Sequence, residues 1–581
     1  MRPILFWSRL THLVPGKLHT WLVALLLGTS LLLLLSSRGG QAEEPLPALL
    51  TGVVLDRQGQ PVRDAAVRLH SGQGKNPVSE DVTQPDGRYA LILPEAIPDD
   101  LEVQIQRPHF AEANFALSTT AVEALRAGTL VVLPDVILLR RLTVAFWIAT
   151  VVFVGVLALI ATGKLHNTLA ALLGASVLFV VTYLGHILFE DLYIFDFQGA
   201  LRYVDWNVIF LIMGMMIVIA VVERTGIFQW LAYQAYRLSR GRLWLLLPIL
   251  MFVTGVASAF LDNVTTMLLM TPMTVQIALA MGVNPLALLI PEVMASNVVG
   301  ISTLVGTPTN ILIGSYARIS FNDFLLNLTP GVLLALLGLI IYCELSYRKE
   351  LKAAGGGGLS PVLLKALAER GRITEPDHLK KAGIVGAGMI VLFVMGEQFH
   401  LLPAVTALIG ATALLVWVRP DIEEMIEAVD WTTLVFFITL FICVGAIQEV
   451  GLISLIADFI GRLVGDSLLL AMLVVTWFSA VLSTIIANIP FTAAMLPVVG
   501  FLTATIPGAQ SKALFYCLSV GSAMGGNGSL IGASANMVTA GIAERAGHPI
   551  AYVYFFKKGF PALLLTVSLA MVWLLLRFLV L

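Results

Sequence analysis

The sequence predicts a mostly α, polytopic membrane protein: an inverted repeat of five spans plus a re-entrant hairpin in each half, preceded by an exported β-sandwich. Three observations lead there. The 581 residues are 58% hydrophobic and 12% charged, with a mean hydropathy of +0.89, a composition outside the range of soluble domains. From Leu142 onward, apolar runs long enough to cross a bilayer dominate the chain. The second half of that region repeats the first at a nearly constant offset.

Taken in order, residues 1–42 read as a signal peptide or signal anchor. Arg2, Arg9 and Lys17 precede the apolar run Trp21 to Leu35, and Gly40-Gln41-Ala42 offers a cleavage site. Cleaved or retained, this segment exports the stretch behind it. Residues 46–139 then change character, with short alternating segments such as Gly52-Val53-Val54-Leu55, Ala66-Val67-Arg68-Leu69 and Tyr89-Ala90-Leu91-Ile92. Turn signals such as Asp56-Arg57-Gln58-Gly59 and Pro85-Asp86-Gly87 separate them, the pattern of a small β-sandwich. This segment resembles the carboxypeptidase regulatory-like domain, which implies a scaffold or binding module of unknown partner. Cys343, Cys443 and Cys517 lie far apart in apolar stretches and read as packing residues.

Simple spans are expected near 143–162, 167–188, 206–222, 331–346, 383–397, 402–418, 431–448 and 560–580. The stretches 241–281 and 466–502 carry a polar centre and read as hairpins. The stretches 285–316 and 510–545 are interrupted by Gly, Pro and Asn and read as broken helices. Repeat 1 thus covers 142–346 and repeat 2 covers 383–581, joined by a cytoplasmic linker at 347–382 whose Gly355-Gly356-Gly357-Gly358 run suggests flexibility. The loop with Arg224, Arg237, Arg240 and Arg242, the linker lysines and arginines, and Lys557 with Lys558 all fall inside if the β-domain is outside. The expected location is therefore a prokaryotic plasma membrane, with the β-domain and the C-terminus extracytoplasmic.

Val204-Asp205-Trp206 returns as Val429-Asp430-Trp431. The same offset pairs Gly226 with Gly451, Ser258 with Ser483, Asn263 with Asn488 and Pro272 with Pro497. A slightly larger offset pairs Ser296 with Ser522, Gly306 with Gly532 and Asn310 with Asn536. Five crossings per half invert the second half, an architecture that secondary transporters use to place a site between discontinuous helices.

Hairpin tips and unwound helices leave backbone groups unpaired inside the membrane, so short polar residues there are candidate ligands. The tips supply Asp262, Asn263, Thr265 and Thr266, and Asn488 with Thr492. The breaks supply Asn297, Ser302, Thr303, Thr307 and Asn310, and Asn527, Ser529, Ser534 and Asn536. Oxygen donors suit sodium, with Asn263, Asn310, Asn488 and Asn536 as its expected ligands, while half-helix N-termini suit an anion. A carboxylate within an apolar stretch marks an ion or proton pathway, which singles out Asp262 and, second, Glu292 as coupling acids. Ala487 stands where Asp262 would repeat, so the halves are unequal in charge. Asp205, Asp430, Glu223 and Glu449 sit at span ends and read as helix caps or water-facing groups.

Ser258-Ala259-Phe260-Leu261-Asp262-Asn263-Val264-Thr265-Thr266, Gly306-Thr307-Pro308-Thr309-Asn310, Asn488-Ile489-Pro490-Phe491-Thr492 and Gly525 to Asn536 resemble the ion-transporter superfamily. The resemblance is nearest to the branch of P-protein, arsenite permeases and D-type sodium–proton antiporters, and it extends to a citrate-transporter-like domain. It implies a homodimer with elevator-type alternating access. The expected function is a secondary active transporter of a small anion, a carboxylate or oxyanion, driven by sodium or protons. The alternatives are a sodium/proton antiporter using Asp262 and, from another class, a membrane-anchored sensor or binding protein acting through the β-domain. No ATP-binding, protease or hydrolase motif occurs in the sequence, so neither an enzyme nor a cofactor beyond the coupling ion is expected. A net charge of −2 without basic clusters argues against nucleic acid.

Overall fold

The structure, a computed structural model, describes residues 48–57, 59–72, 76–94, 96–353 and 361–580. The segment 1–42, Gln58 and the run Gly355 to Gly358 lie outside the described residues. The chain divides into two compact units, Met1–Arg141 and Leu142–Leu581.

The first unit is a two-sheet sandwich. One sheet orders β4 (Arg88–Ile92), β1 (Leu49–Asp56) and β7 (Val131–Val132), with β8 (Val136–Leu138) also paired to β1. The other orders β3 (Ser79–Val82), β2 (Ala66–Ser71), β5 (Leu101–Gln106) and β6 (Ala113–Ala116). Alternation drives the packing: Leu50 and Val54 of β1, Val67 and Leu69 of β2, and Val103 and Ile105 of β5 all turn inward. Gly52 is required by its neighbour, since an added Cβ would lie 2.6 Å from the Tyr89 hydroxyl oxygen. Tyr89 is itself buried, and burial pushes its hydroxyl up to about 12.

The second unit is helical, and its helices fall into two matching sets. The first set is α1 (Val144–Thr162), α2 (Asn167–Leu188), α3 (Trp206–Arg224), α4 (Ile227–Ser239), α5 (Leu243–Phe260), α6 (Asn263–Ala280), α7 (Leu286–Val299), α8 (Pro308–Ala317) and α9 (Phe321–Ser346). The second is α10 (Pro376–Met395), α11 (Pro403–Val418), α12 (Trp431–Glu449), α13 (Leu452–Val464), α14 (Leu468–Ile485), α15 (Asn488–Thr505), α16 (Ala513–Gly525), α17 (Ser534–Arg545) and α18 (Tyr552–Leu575). Each helix of the first set corresponds to the one nine places later. Eleven helices among the described residues are long and apolar enough to cross a membrane.

The repeated motifs now have physical reasons. In Val-Asp-Trp, Asp205 caps α3 by accepting from the Asn207 and Val208 amides, and Asp430 caps α12 by accepting from the Thr433 amide. Gly226 (φ 75°) and Gly451 (φ 95°) supply the left-handed residue that turns each of these helices into the amphipathic α4 and α13. α5 with α6, and α14 with α15, form the two hairpins; α7 with α8, and α16 with α17, form the two broken helices.

Contacts define the two ends of the bundle. An Arg224–Glu424 pair at 2.7 Å, the Thr374 hydroxyl on Arg224 O and Lys558 Nζ on Ser346 O gather one end. Lys512 Nζ on Arg318 O, Asn322 on Val394 O, and Tyr203 on Glu449 gather the other. The loops rich in lysine and arginine lie at the first end.

Three helices begin earlier than their apolar runs. α9 starts at Phe321 rather than 331, closed by a capping box of Ser320 and Asp323. α10 starts at Pro376 rather than 383, and α18 at Tyr552 rather than 560. Hydropathy reports the lipid-facing length, whereas backbone pairing and caps decide where a helix begins. The linker 347–382 likewise contains two short helices, Arg348–Ala353 and Pro361–Arg370, together with the first turns of α10.

Candidate functional site

The two hairpin turns and the two breaks converge. Each break lies against the turn of its own hairpin, and the hydrogen bonds repeat in register except that Asn536 reaches one residue earlier than Asn310 does. Ser258 Oγ donates to Ser296 O at 3.1 Å, as Ser483 Oγ does to Ser522 O at 2.5 Å. The Thr303 hydroxyl donates to Ala259 O, as the Ser529 hydroxyl does to Thr484 O. Asn310 Nδ2 bridges Ile301 O and Thr303 O, both at 2.8 Å. Asn536 Nδ2 bridges Gly526 O at 2.8 Å and Ser529 O at 2.9 Å. The backbone carbonyls released by each break are thus satisfied by one asparagine, as burial in a membrane protein demands.

A second network ties the halves together. Asn263 Nδ2 donates to Asn297 Oδ1 at 2.9 Å, while Asn297 Nδ2 donates to Asn527 Oδ1 at 2.9 Å and to Asn536 Oδ1 at 3.0 Å. Asn263 is 5% exposed and the other three are fully buried. Asn297 is therefore the hub between repeat 1 and repeat 2.

In front of these networks lies a cavity of about 390 Å³, within the size range of small-ligand sites. One wall carries Asp262, Thr265, Pro308, Ala487, Ile489 and Ser534, contributed by both tips and both breaks. The other wall comes from α3, including Met215 and Glu223, and from the starts of α2 and α12, including His166, Asp430 and Thr433. These last residues place the cavity toward the lysine- and arginine-rich end.

The two tips differ in chemistry. Asp262 Oδ1 accepts from the Val264 and Thr265 amides, both at 2.9 Å, and Oδ2 accepts from the Thr265 hydroxyl at 2.6 Å. α6 therefore carries its own carboxylate at its N-terminus, where the helix dipole favours it. α15 begins at Ala487 with no side-chain cap, and α8 and α17 likewise begin without one.

The candidate residues separate accordingly. Asp262, Thr265 and Ser534 face the cavity. Asn263, Asn297, Asn527 and Asn536 form the network behind it; Thr303, Asn310 and Ser529 close the breaks. Ser302 donates to Val299 O and Thr492 to Asn488 O within their own segments, and the Thr307 hydroxyl meets that of Thr309 at 3.2 Å. The Thr266 hydroxyl is buried without a hydrogen-bond partner, and the Asn488 amide has none among the described residues. Of the four expected sodium ligands, the amide oxygens of Asn310 and Asn536 accept hydrogens from Ser519 and Asn297, and that of Asn263 lies 3.0 Å from Ser258 Oγ, competing with Ser296 O for its one proton.

Glu292 sits apart from the cavity, fully buried between α5, α6 and α7, where Oε1 accepts from Thr254 Oγ1 at 2.7 Å and from Thr274 Oγ1 at 3.2 Å. Asp430 caps α12, as its place at a span end suggests, and both Glu223 and Asp430 also line the cavity opposite Asp262. Among the described residues no cluster of three or more His, Cys, Asp or Glu groups is arranged for a metal ion.

Residues 157–514 match the family described as citrate transporter, CitMHS. An uncharacterized transporter of Mycobacterium bovis is 37% identical over 435 residues, covering 75% of this chain and 99% of that one. The P protein of Homo sapiens is 32% identical over 504 residues, covering 74% of this chain and 59% of that one. The Alcanivorax borkumensis YdaH transporter structure aligns with a TM-score of 0.48 at 14% identity, covering 71% of this chain and 98% of that one. Family and relatives point to a transporter rather than an enzyme. With its apolar helices, inverted halves and paired hairpins and breaks, the chain is an integral membrane transporter belonging to the citrate-transporter family of the ion-transporter superfamily.

Proposed function

We propose that the chain is a secondary active transporter that carries a small anion, a carboxylate or oxyanion, with a sodium or proton gradient as the driving force. The observation that carries this reading is the convergence of both hairpin tips and both breaks on one cavity. Three of the helix N-termini there lack a side-chain cap, and their amides and dipoles favour negative charge. The opposing wall of α3 and α12 belongs to the other elements of each half, so sliding the hairpin–break unit along it would expose the tips alternately at the two ends. In the orientation that puts lysine and arginine inside, the cavity faces the cytoplasm, and the β-domain and C-terminus are extracytoplasmic.

A second reading, cation–proton exchange, is favoured by one specific feature. The cavity is lined by three carboxylates, Asp262, Glu223 and Asp430, and by no lysine or arginine.

Sodium- or proton-driven uptake of radiolabelled citrate, sulfate or arsenite into proteoliposomes tests the first reading. A change of internal pH on adding sodium alone, with no uptake of those anions, supports the second. Asp262→Asn is expected to lower gradient-driven transport about tenfold or more, since a tenfold change corresponds to only ~1.4 kcal/mol. Asparagine caps a helix as well as aspartate does, so the melting temperature should stay within a few degrees of the parent. Unchanged transport would remove Asp262 from the coupling mechanism. Deleting 46–139 behind a retained signal segment is expected to leave transport by the membrane unit intact; complete loss with normal membrane insertion would favour the sensor class.

A further inference from the structure

Glu292 is the one fully buried carboxyl among the described residues of the hairpin–break units, and it does not line the cavity. Its hydrogen bonding is one-sided: Oε1 accepts from two threonine hydroxyls, while Oε2 is buried with no partner. A bare, buried Oε2 favours the neutral form of the group, with the proton on that oxygen. An ionised carboxylate would place half its charge on a bare oxygen in the interior, at heavy desolvation cost.

The other half shows that the packing does not need an acid here. By the repeat, Glu292 corresponds to Leu518 and Thr254 to Ser479. Leu518 is fully buried, and the Ser479 hydroxyl, the counterpart of that of Thr254, has no partner. Leucine thus fills this position in repeat 2, whereas repeat 1 keeps a carboxyl and two hydroxyls that bind it. This second charge asymmetry accompanies that of Asp262 and Ala487.

We propose that Glu292 is a proton-carrying site of the hairpin–break unit, separate from the Asp262 cavity, which binds and releases one proton in each transport cycle. This rests on the transporter reading but not on the anion as cargo. The O–H bond on Oε2 breaks, the proton leaves through hydroxyl groups and water as hydronium, and the carboxylate is held by Thr254 and Thr274 until it is reprotonated. The first hydroxyls on the way are those of Ser258 and Ser296, one turn farther along α5 and α7 and 2.9 Å from each other, next to Asn263 at the tip. Glu292, Thr254 and Thr274 all belong to one hairpin and its break, so the proton travels with that unit. No charged or titratable side chain from α5, α6, α9, α16, α17 or α18, the helices packed on α7, acts on it; its partners are the two threonines.

The test uses the full chain. Infrared difference spectra of the purified protein between acidic and alkaline buffer, in H₂O and D₂O, should show the C=O stretch of a protonated carboxyl that disappears on alkalinisation. The band should be absent in Glu292→Gln and present in Asp262→Asn. A parent spectrum without a pH-dependent carboxyl band, or one retained in Glu292→Gln, overturns the proposal. In proteoliposomes, Glu292→Gln should lose about tenfold or more of proton-driven citrate uptake while keeping gradient-free citrate exchange. Equal loss of both also overturns it. If the parent moves no citrate, the anion reading fails and the infrared result alone decides, so the two failures are distinguishable. Glu292→Leu, which copies repeat 2, should fold and melt like the parent.

Discussion

Gly306→Ala is expected to destabilise the transporter by about 3 kcal/mol or more and to abolish transport, at the upper end of what overpacking costs. A Cβ at Gly306 would lie 2.4 Å from Gly300 O, 2.6 Å from Ser258 O and 2.8 Å from Ala259 O. All three are backbone atoms. No rotamer change relieves the contact, so either the break must move away from the hairpin turn or the turn must open. Moving the break also pulls Thr303 from Ala259 O and loosens the Asn310 bridge that satisfies the freed carbonyls. The repeat supplies an internal control. At Gly532 the corresponding Cβ would meet Gly526 O at 2.9 Å and Ser483 O at 3.0 Å, a milder conflict. Gly532→Ala should therefore cost about 1–2 kcal/mol. Thermal unfolding of the detergent-solubilised variants gives the ranking; equal melting temperatures for the two would show that the break-to-turn approach is not what holds the site together.

Much of this architecture was legible in the sequence because duplication and membrane burial both leave local marks. Asp262 beside Asn263 and the glycine-rich interruptions fall where the chain must turn or unwind in lipid, and the structure places turns and breaks at those residues, whereas the paired Pro272 and Pro497 lie inside α6 and α15. The other wall was not legible. Glu223 and Asp430 stand at helix ends, where acids usually face water or cap amides, and nothing in the local pattern says that α3 and α12 bring them opposite Asp262. That is a property of packing between elements far apart in sequence. The polar residues of the breaks stand out in the sequence as a group, but the contacts that each one makes do not. Composition identifies Asn310 and Asn536 as oxygen donors; only the folded backbone shows their amide nitrogens spent on holding the breaks closed. The starts of α9, α10 and α18 were missed because polar and charged first turns end an apolar run without ending a helix.

Asn297 is the residue at which the two halves become one site, and its removal should be felt in both. Asn297→Ala leaves Asn263 Nδ2 without its acceptor and takes the donor from Asn527 Oδ1 and Asn536 Oδ1. Each orphaned buried polar group costs about 1–3 kcal/mol in protein interiors, and side-chain hydrogen bonds between membrane helices average ~0.6 kcal/mol. Asn527 and Asn536 keep their bonds to Met294 O, Gly526 O and Ser529 O, which limits the damage. These magnitudes give a total of about 2–4 kcal/mol. Asn297→Asp separates the geometry from the charge: it retains an acceptor for Asn263 but sets a carboxylate against two amide oxygens, so it should be no more stable than Asn297→Ala, whereas Asn297→Gln should recover part of the loss. The network predicts non-additivity as well. Because Asn263 and Asn297 share a bond, the double variant Asn263→Ala, Asn297→Ala should be less destabilised than the sum of the single variants, by about 0.5–3 kcal/mol. Strict additivity in thermal unfolding would mean that the tip of repeat 1 and the breaks of repeat 2 are stabilised independently, and that Asn297 is not the joint between them.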